Sequence, residues 1–243
     1  VNQYLHELDI DENVDHPWIP GIGREYTWQM TSDGLISQEY LDKLTHTYEV
    51  RAFSDLEING NVPVHILRGD NYSVTLKGTC DCPDRLDINQ IGTKLDINTT
   101  ARIRNAILQI TLPHLHTLKL KHTNNVHIEG FEEDKMAIWA EGRNNRHITA
   151  SLQVDDLTLH LKGRMNFELI GTGDHLRAKL DSETNLHAGA FVVRNADITA
   201  EGSLDIELNV QDTLRQKRSP DVNLELVGSP TILEIQSEDT FEE

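Results

Sequence analysis

The chain has 243 residues, 40 acidic and 22 basic, for a formal charge of −18. A face that grips a phosphate backbone needs the opposite sign, so nucleic acid is not an expected partner, and the same excess argues against docking on anionic lipid. Hydrophobic residues are 37% and aromatic ones only 5%, which suits a thin solenoid interior of Leu, Ile, Val and Ala better than a broad convex core.

In chain order, residues 1–44 stand apart. Asp15 to Gly23 reads as a loop, because Pro17, Pro20, Gly21 and Gly23 prevent regular structure. Ser37 is placed to cap a short helix carrying Tyr40, Leu41 and Leu44 on one face. This segment, which also holds Trp18 and Trp28, is expected to be a cap on the open end of a solenoid. The chain starts at Val1 and therefore reads as a processed or trimmed form. No apolar run approaches the ~20 residues that span a bilayer, so no transmembrane segment is expected.

From Leu44 the sequence alternates, with His46, Tyr48 and Val50 on one side. Short strands follow around Leu56–Ile58, Val62–Ile66, Tyr72–Leu76, Leu86–Ile88, Leu95–Ile97 and Ile103–Leu112, punctuated by Gly60, Gly69, Gly78 and Gly92. Cys80 and Cys82 flank Asp81 in a loop. No further Cys or His follows at zinc-knuckle spacing, so the expectation is free thiols.

Between Leu118 and Ala200 an apolar triplet recurs. The set is Leu118-Leu120-His122, Met136-Ile138-Ala140, Leu157-Leu159-Leu161, Leu176-Ala178-Leu180 and Ala196-Ile198-Ala200, with steps of 18, 21, 19 and 20 residues. A second column keeps the same period: Val126-Ile128, Ile148-Ala150, Phe167-Leu169, Leu186-Ala188 and Ile206-Leu208. Two columns with one period of ~20 residues predict rungs of two or three short strands stacked as a parallel β-helix. Inward alanines, including Ala178, let small and large side chains alternate in a narrow core. Ala178→Phe is therefore expected to destabilise by ~1–3 kcal/mol, and an unchanged melting temperature would refute that inside/outside assignment. The expected division is a cap over 1–44, a solenoid over 45–235 and an acidic tail over 236–243.

From about Val50 to Ile232 the chain resembles the head GIN domain family of putative auto-transporter adhesins. The likeness lies in Phe53-Ser54-Asp55-Leu56-Glu57-Ile58-Asn59-Gly60-Asn61-Val62, Gly69-Asp70-Asn71-Tyr72-Ser73-Val74, Lys77-Gly78, Ile110-Thr111-Leu112-Pro113-His114-Leu115 and Gly228-Ser229-Pro230, which occur in the family's order. The resemblance implies a right-handed β-helix in an extracytoplasmic bacterial protein of the cell envelope, with no catalytic residues to carry over. The insertion Leu214 to Pro220 departs from the family pattern and lengthens the last connection.

Stacking predicts outward columns. One is Lys121, Trp139, His160, Lys179 and Thr199, where an indole between cationic neighbours is a candidate platform for a sugar ring. Lys121, Trp139, His160 and Lys179 are thus the candidate ligand-binding residues. A second column, His127, Thr149, Glu168, His187 and Glu207, seats His187 between two carboxylates as an ion ladder on a sheet face. His114 and His116 share one side of a strand but lack a third ligand at a fixed spacing. The run Glu132-Glu133-Asp134 and the tail Glu238 to Glu243 read as a solvated loop and a frayed end. No cofactor, metal or catalytic residue is expected. The expected function is a non-catalytic adhesin-like module presenting its faces to a surface glycan or protein. The alternatives are a polysaccharide lyase or hydrolase, and a structural envelope component.

Overall fold

The computed structural model describes residues 45–78, 83–100, 103, 106–123, 125–181 and 183–234. The expected cap, Cys80 and Cys82, and the acidic tail lie outside these residues. Among the described residues, thirteen strands join in one sheet. They are β1 (Thr45–Tyr48), β2 (Asp55–Asn59), β3 (Val64–Arg68), β4 (Ser73–Gly78), β5 (Leu86–Ile91), β6 (Lys94–Thr99), β7 (Ala106–Leu112), β8 (Thr117–Lys121), β9 (Val126–Asp181), β10 (Thr184–Glu201), β11 (Leu204–Arg218), β12 (Val222–Val227) and β13 (Thr231–Glu234). No helix among the described residues is long and apolar enough to cross a membrane.

At 56 residues, β9 would run about 185 Å if it were straight. Instead it coils, and its turns stack on one another. The corners are visible in β10, where register shifts between Ala188 and Val192 and between Val193 and Asn195 divide one continuous strand into three runs. The molecule is a β-solenoid of about six turns. Strict alternation is the local cause: β7, Ala-Ile-Leu-Gln-Ile-Thr-Leu, buries every second residue, and each such stripe points into the coil, where the other strands and the neighbouring turns cover it.

Two faces carry the parallel stacking. On the first, Leu56 of β2 lies between Leu95 of β6 and Leu118 of β8, and Leu118 meets Ile138. On the second, Val64 of β3 lies between Leu108 of β7 and Val126 of β9, and further along Leu186 lies between Phe167 and Ile206. Turn order departs from chain order at one end, because β2 and β3 are flanked on one side by the later β6 and β7. Antiparallel strands then finish that end, β5 on β6 and β4 with β1 on β7.

The expected interior is present. Ala140, Ala150, Ala178, Ala188 and Ala200 are all buried among Leu, Ile and Phe. Register is also pinned from outside by a polar ladder. Asn185 Nδ2 donates to Asn166 Oδ1 at 3.0 Å, the Asp205 amide donates to Asn185 Oδ1 at 3.1 Å, and Asn223 Nδ2 donates to Asp205 Oδ1 at 3.1 Å.

One expected register is corrected. Leu118 and Leu120 pair with Ile138 and Ala140, not with Met136 and Ile138, so that step is 20 residues and not 18. His122 does not join the inward triplet. It is exposed, and its φ of 55° turns the chain out of the strand.

Candidate functional site

The register correction changes which side chains meet on the first face. Lys119, not Lys121, is the in-register partner of Trp139. Lys119 Nζ lies 5.2 Å from the centre of the Trp139 ring, a cation–π contact. One turn on, the His160 ring stacks on the indole with centroids 5.5 Å apart and planes within 7°. The two rings form a face-to-face stack, half-buried by their mutual contact, with Lys119 over the other side of the indole, so that ring edges rather than a broad ring face reach the surface. The stack floors a shallow groove of about 460 Å³ that also includes Lys121, Lys162, Lys179 and Asp181. All four candidate binding residues, Lys121, Trp139, His160 and Lys179, thus line one groove. Lys121 stands at the rim, opposite Glu141.

Glu57 explains where Lys121 points. Its carboxylate accepts from Lys121 Nζ at 2.6 Å and pairs with Lys94 Nζ at 2.9 Å. Hydrogen bonds from Lys121 and Lys94 hold the Glu57 carboxyl below the usual carboxylate range, against the opposing effect of burial. A carboxylate with a lowered folded-state pKa stabilises the fold above its ordinary value, and that stability is lost as pH falls through the folded value. Glu57→Gln should therefore lower the melting temperature at pH 7, and the gap from the parent protein should close in acid. A gap independent of pH would refute the ion-pair account.

On the second face, His187 lies in register between Glu168 and Glu207, as the repeat predicted. Glu168, however, reaches toward His147 at 3.7 Å. The same face carries a cluster that the sequence reading did not assemble. His65 of β3 and His127 of β9 are direct partners across parallel strands, with ring centroids 4.9 Å apart. Glu129 lies 3.4 Å from His65 Nε2 and 2.9 Å from His127 Nε2. Burial and the neighbouring His127 hold the His65 imidazole below the ordinary histidine range, against the pull of Glu129.

Residues 52–230 match the family described as "Putative auto-transporter adhesin, head GIN domain". The chain belongs to the head GIN domain family. Among solved structures, a "putative adhesin" from Bacteroides fragilis is 19% identical with a TM-score of 0.59, covering 79% of this chain and 96% of that one. A "putative lipid binding protein" from Parabacteroides distasonis has 15% identity and a TM-score of 0.52, and a "putative adhesin" from the same organism has 13% and 0.51. Each of these two also covers 79% of this chain and 96% of its own. At such identities the likeness concerns the fold. No curated protein matches the chain in sequence.

Within this head GIN domain the acidic run is not a solvated loop. Residues 132–134 lie inside β9. The Glu133 side chain is only 7% exposed, and its carboxylate accepts from the Leu115 amide at 3.1 Å and faces His114 Nδ1 at 3.3 Å. Glu132 pairs with Arg68 at 3.2 Å. The Glu133 carboxylate thus ties down the bend at residues 113–116. That bend, rather than a strand, is where His114 and His116 sit, both exposed.

Proposed function

We propose that the chain is a non-catalytic, extracytoplasmic binding module that presents the lysine-edged groove around the Trp139–His160 stack to a surface glycan. The observation that carries this reading is the parallel stacking of an indole and an imidazole across adjacent turns, edged by lysines on a chain of charge −18. A sugar ring can lay its C–H groups along the exposed ring edges of this stack and offer hydroxyl or acidic groups to the flanking lysines, and the open groove admits an extended polymer from either end. The family's description as an adhesin supports both the binding role and a location outside the cytoplasm.

The test is a glycan array probed with the full chain, followed by titration of the strongest binder. Trp139→Ala should weaken binding at least ~10-fold, the loss of one central aromatic anchor, while leaving the melting curve cooperative. Binding unchanged by Trp139→Ala, or release of cleaved products, would overturn this reading. A second reading is suggested by the structural relative described as a lipid-binding protein. Under it, the same lysine-edged groove takes a lipid headgroup, and vesicles replace glycans as the successful probe.

A further inference from the structure

We propose that His65, His127 and Glu129 bind one divalent transition-metal ion of the zinc type at the junction between β3 and β9. Register brings the donors together. His65 pairs directly with His127, and Glu129 follows two residues later, so all three leave the same face of the sheet. One ring nitrogen from each histidine and one carboxylate oxygen lie within 4.8 Å of one another. Zinc bound at ~2.0–2.1 Å in a tetrahedron needs donors about 3.4 Å apart. His65 Nε2 and Glu129 Oε1 are 3.4 Å apart, and His127 Nε2 and Glu129 Oε2 are 2.9 Å apart. Side-chain rotation, without backbone movement, closes the remaining gap.

The second observation is an unmet need. The two histidine side chains are only 12% and 14% exposed. His65 Nε2 and His127 Nδ1 are buried with no hydrogen-bond partner. A bound cation satisfies the His65 nitrogen, which lies 3.4 Å from the carboxylate without a hydrogen bond to it. Among the described residues, this is the one group of three such side chains with donors at metal-binding separations. The exposed pair His114 and His116 does not form one.

The donor set selects the ion. Two imidazoles with a single carboxylate suit zinc and its neighbours, whereas calcium and magnesium favour cages of oxygen. Glu129 is 46% exposed, so the outer side stays open and water or an incoming ligand group completes the shell. The ion would clamp β3 to β9, two strands far apart in the chain, and should stabilise the fold in proportion to its occupancy.

The experiment uses the full chain, stripped with EDTA and titrated with zinc chloride by calorimetry, with cobalt(II) as an absorbing substitute. The expected result is a zinc-dependent rise in melting temperature, with saturable binding at this site and a four-coordinate cobalt spectrum. Glu129→Gln and His127→Gln should each weaken binding at least ~10-fold. The double variant His65→Gln/His127→Gln should abolish it, while His114→Gln/His116→Gln leaves it unchanged. Glu129→Gln guards against misfolding, because it swaps an exposed oxygen donor for an amide of the same shape. Its metal-free melting curve should match the parent's. No saturable zinc binding by the full chain, or unchanged affinity in the double variant, would overturn the proposal.

Discussion

Gly171→Ala should destabilise the protein by at least ~3 kcal/mol, seen as a lower urea midpoint and a lower melting temperature. Gly171 has a φ of 127°, and a Cβ there would stand 1.8 Å from the carbonyl oxygen of Leu152 on the adjoining turn. The obstacle is backbone, so no side chain can swing aside. Relief requires separating two turns whose spacing is set by their hydrogen bonds, about 4.8 Å. Gly163 repeats the arrangement one corner earlier, with φ 105° and the Gly142 oxygen 1.7 Å from the hypothetical Cβ. Gly92 is the control. It also has a positive φ, 59°, but nothing lies within 4 Å, so Gly92→Ala should cost only the ~1–2 kcal/mol of left-handed strain. Equal losses at the two positions would mean that close approach between turns is not what demands glycine at the corners.

Inside and outside were legible because alternation in a strand records burial directly. The inward alanines and the stacking of Leu176-Ala178-Leu180 on Ala196-Ile198-Ala200 could be read from the sequence. Register at the first step was not legible. Nothing in the apolar pattern marks His122 as the residue that leaves the strand, and including it shifted the neighbouring turn by two positions. That single slip is why the sequence pattern puts Lys121 beside Trp139, where Lys119 stands. Turn order near the start was equally hidden. Leu95-Asp96-Ile97 and Leu118-Lys119-Leu120 offer nearly the same edge to Leu56-Glu57-Ile58, and both are used, one on each side. Parallel pairing has no local turn signal to announce which neighbour comes first.

The His65, His127 and Glu129 cluster is hidden in the sequence for the same reason. Seen along the sequence, His65 belongs to a short early strand and His127 to a repeat that begins much later. Only the detour of β4 to β7 to the far end of the stack leaves β3 free to receive β9 as its neighbour. A pairing hypothesis for Val64-His65-Ile66 against Val126-His127-Ile128, two identically patterned triplets, was the available signal. The buried carboxylate of Glu133 gave less warning, because a run of three acidic residues resembles a solvated loop until a strand is shown to carry it.

Phe167→Ala should cost ~3–5 kcal/mol, and the loss should be local in a way that a compact globular core would not show. Phe167 is fully buried, with Leu186 as its in-register partner on the next turn and Ile206 beyond. Truncation leaves a cavity that Leu186 can only partly fill, because the turns on both sides hold their spacing. In a stacked architecture each turn contacts only its neighbours, so stability is a sum of turn and interface contributions. A weakened interface therefore divides the stack into two blocks. The expected readout is hydrogen exchange: amides of 165–169 and 184–188 should lose protection first, while β2, β6 and β8 keep theirs. Thermal unfolding should broaden as the blocks uncouple. Phe167→Leu, which keeps most of the volume, should show a much smaller loss in the same place. Uniform loss of protection across the chain would mean that the turns unfold as one unit and that the nearest-neighbour description of this solenoid is wrong.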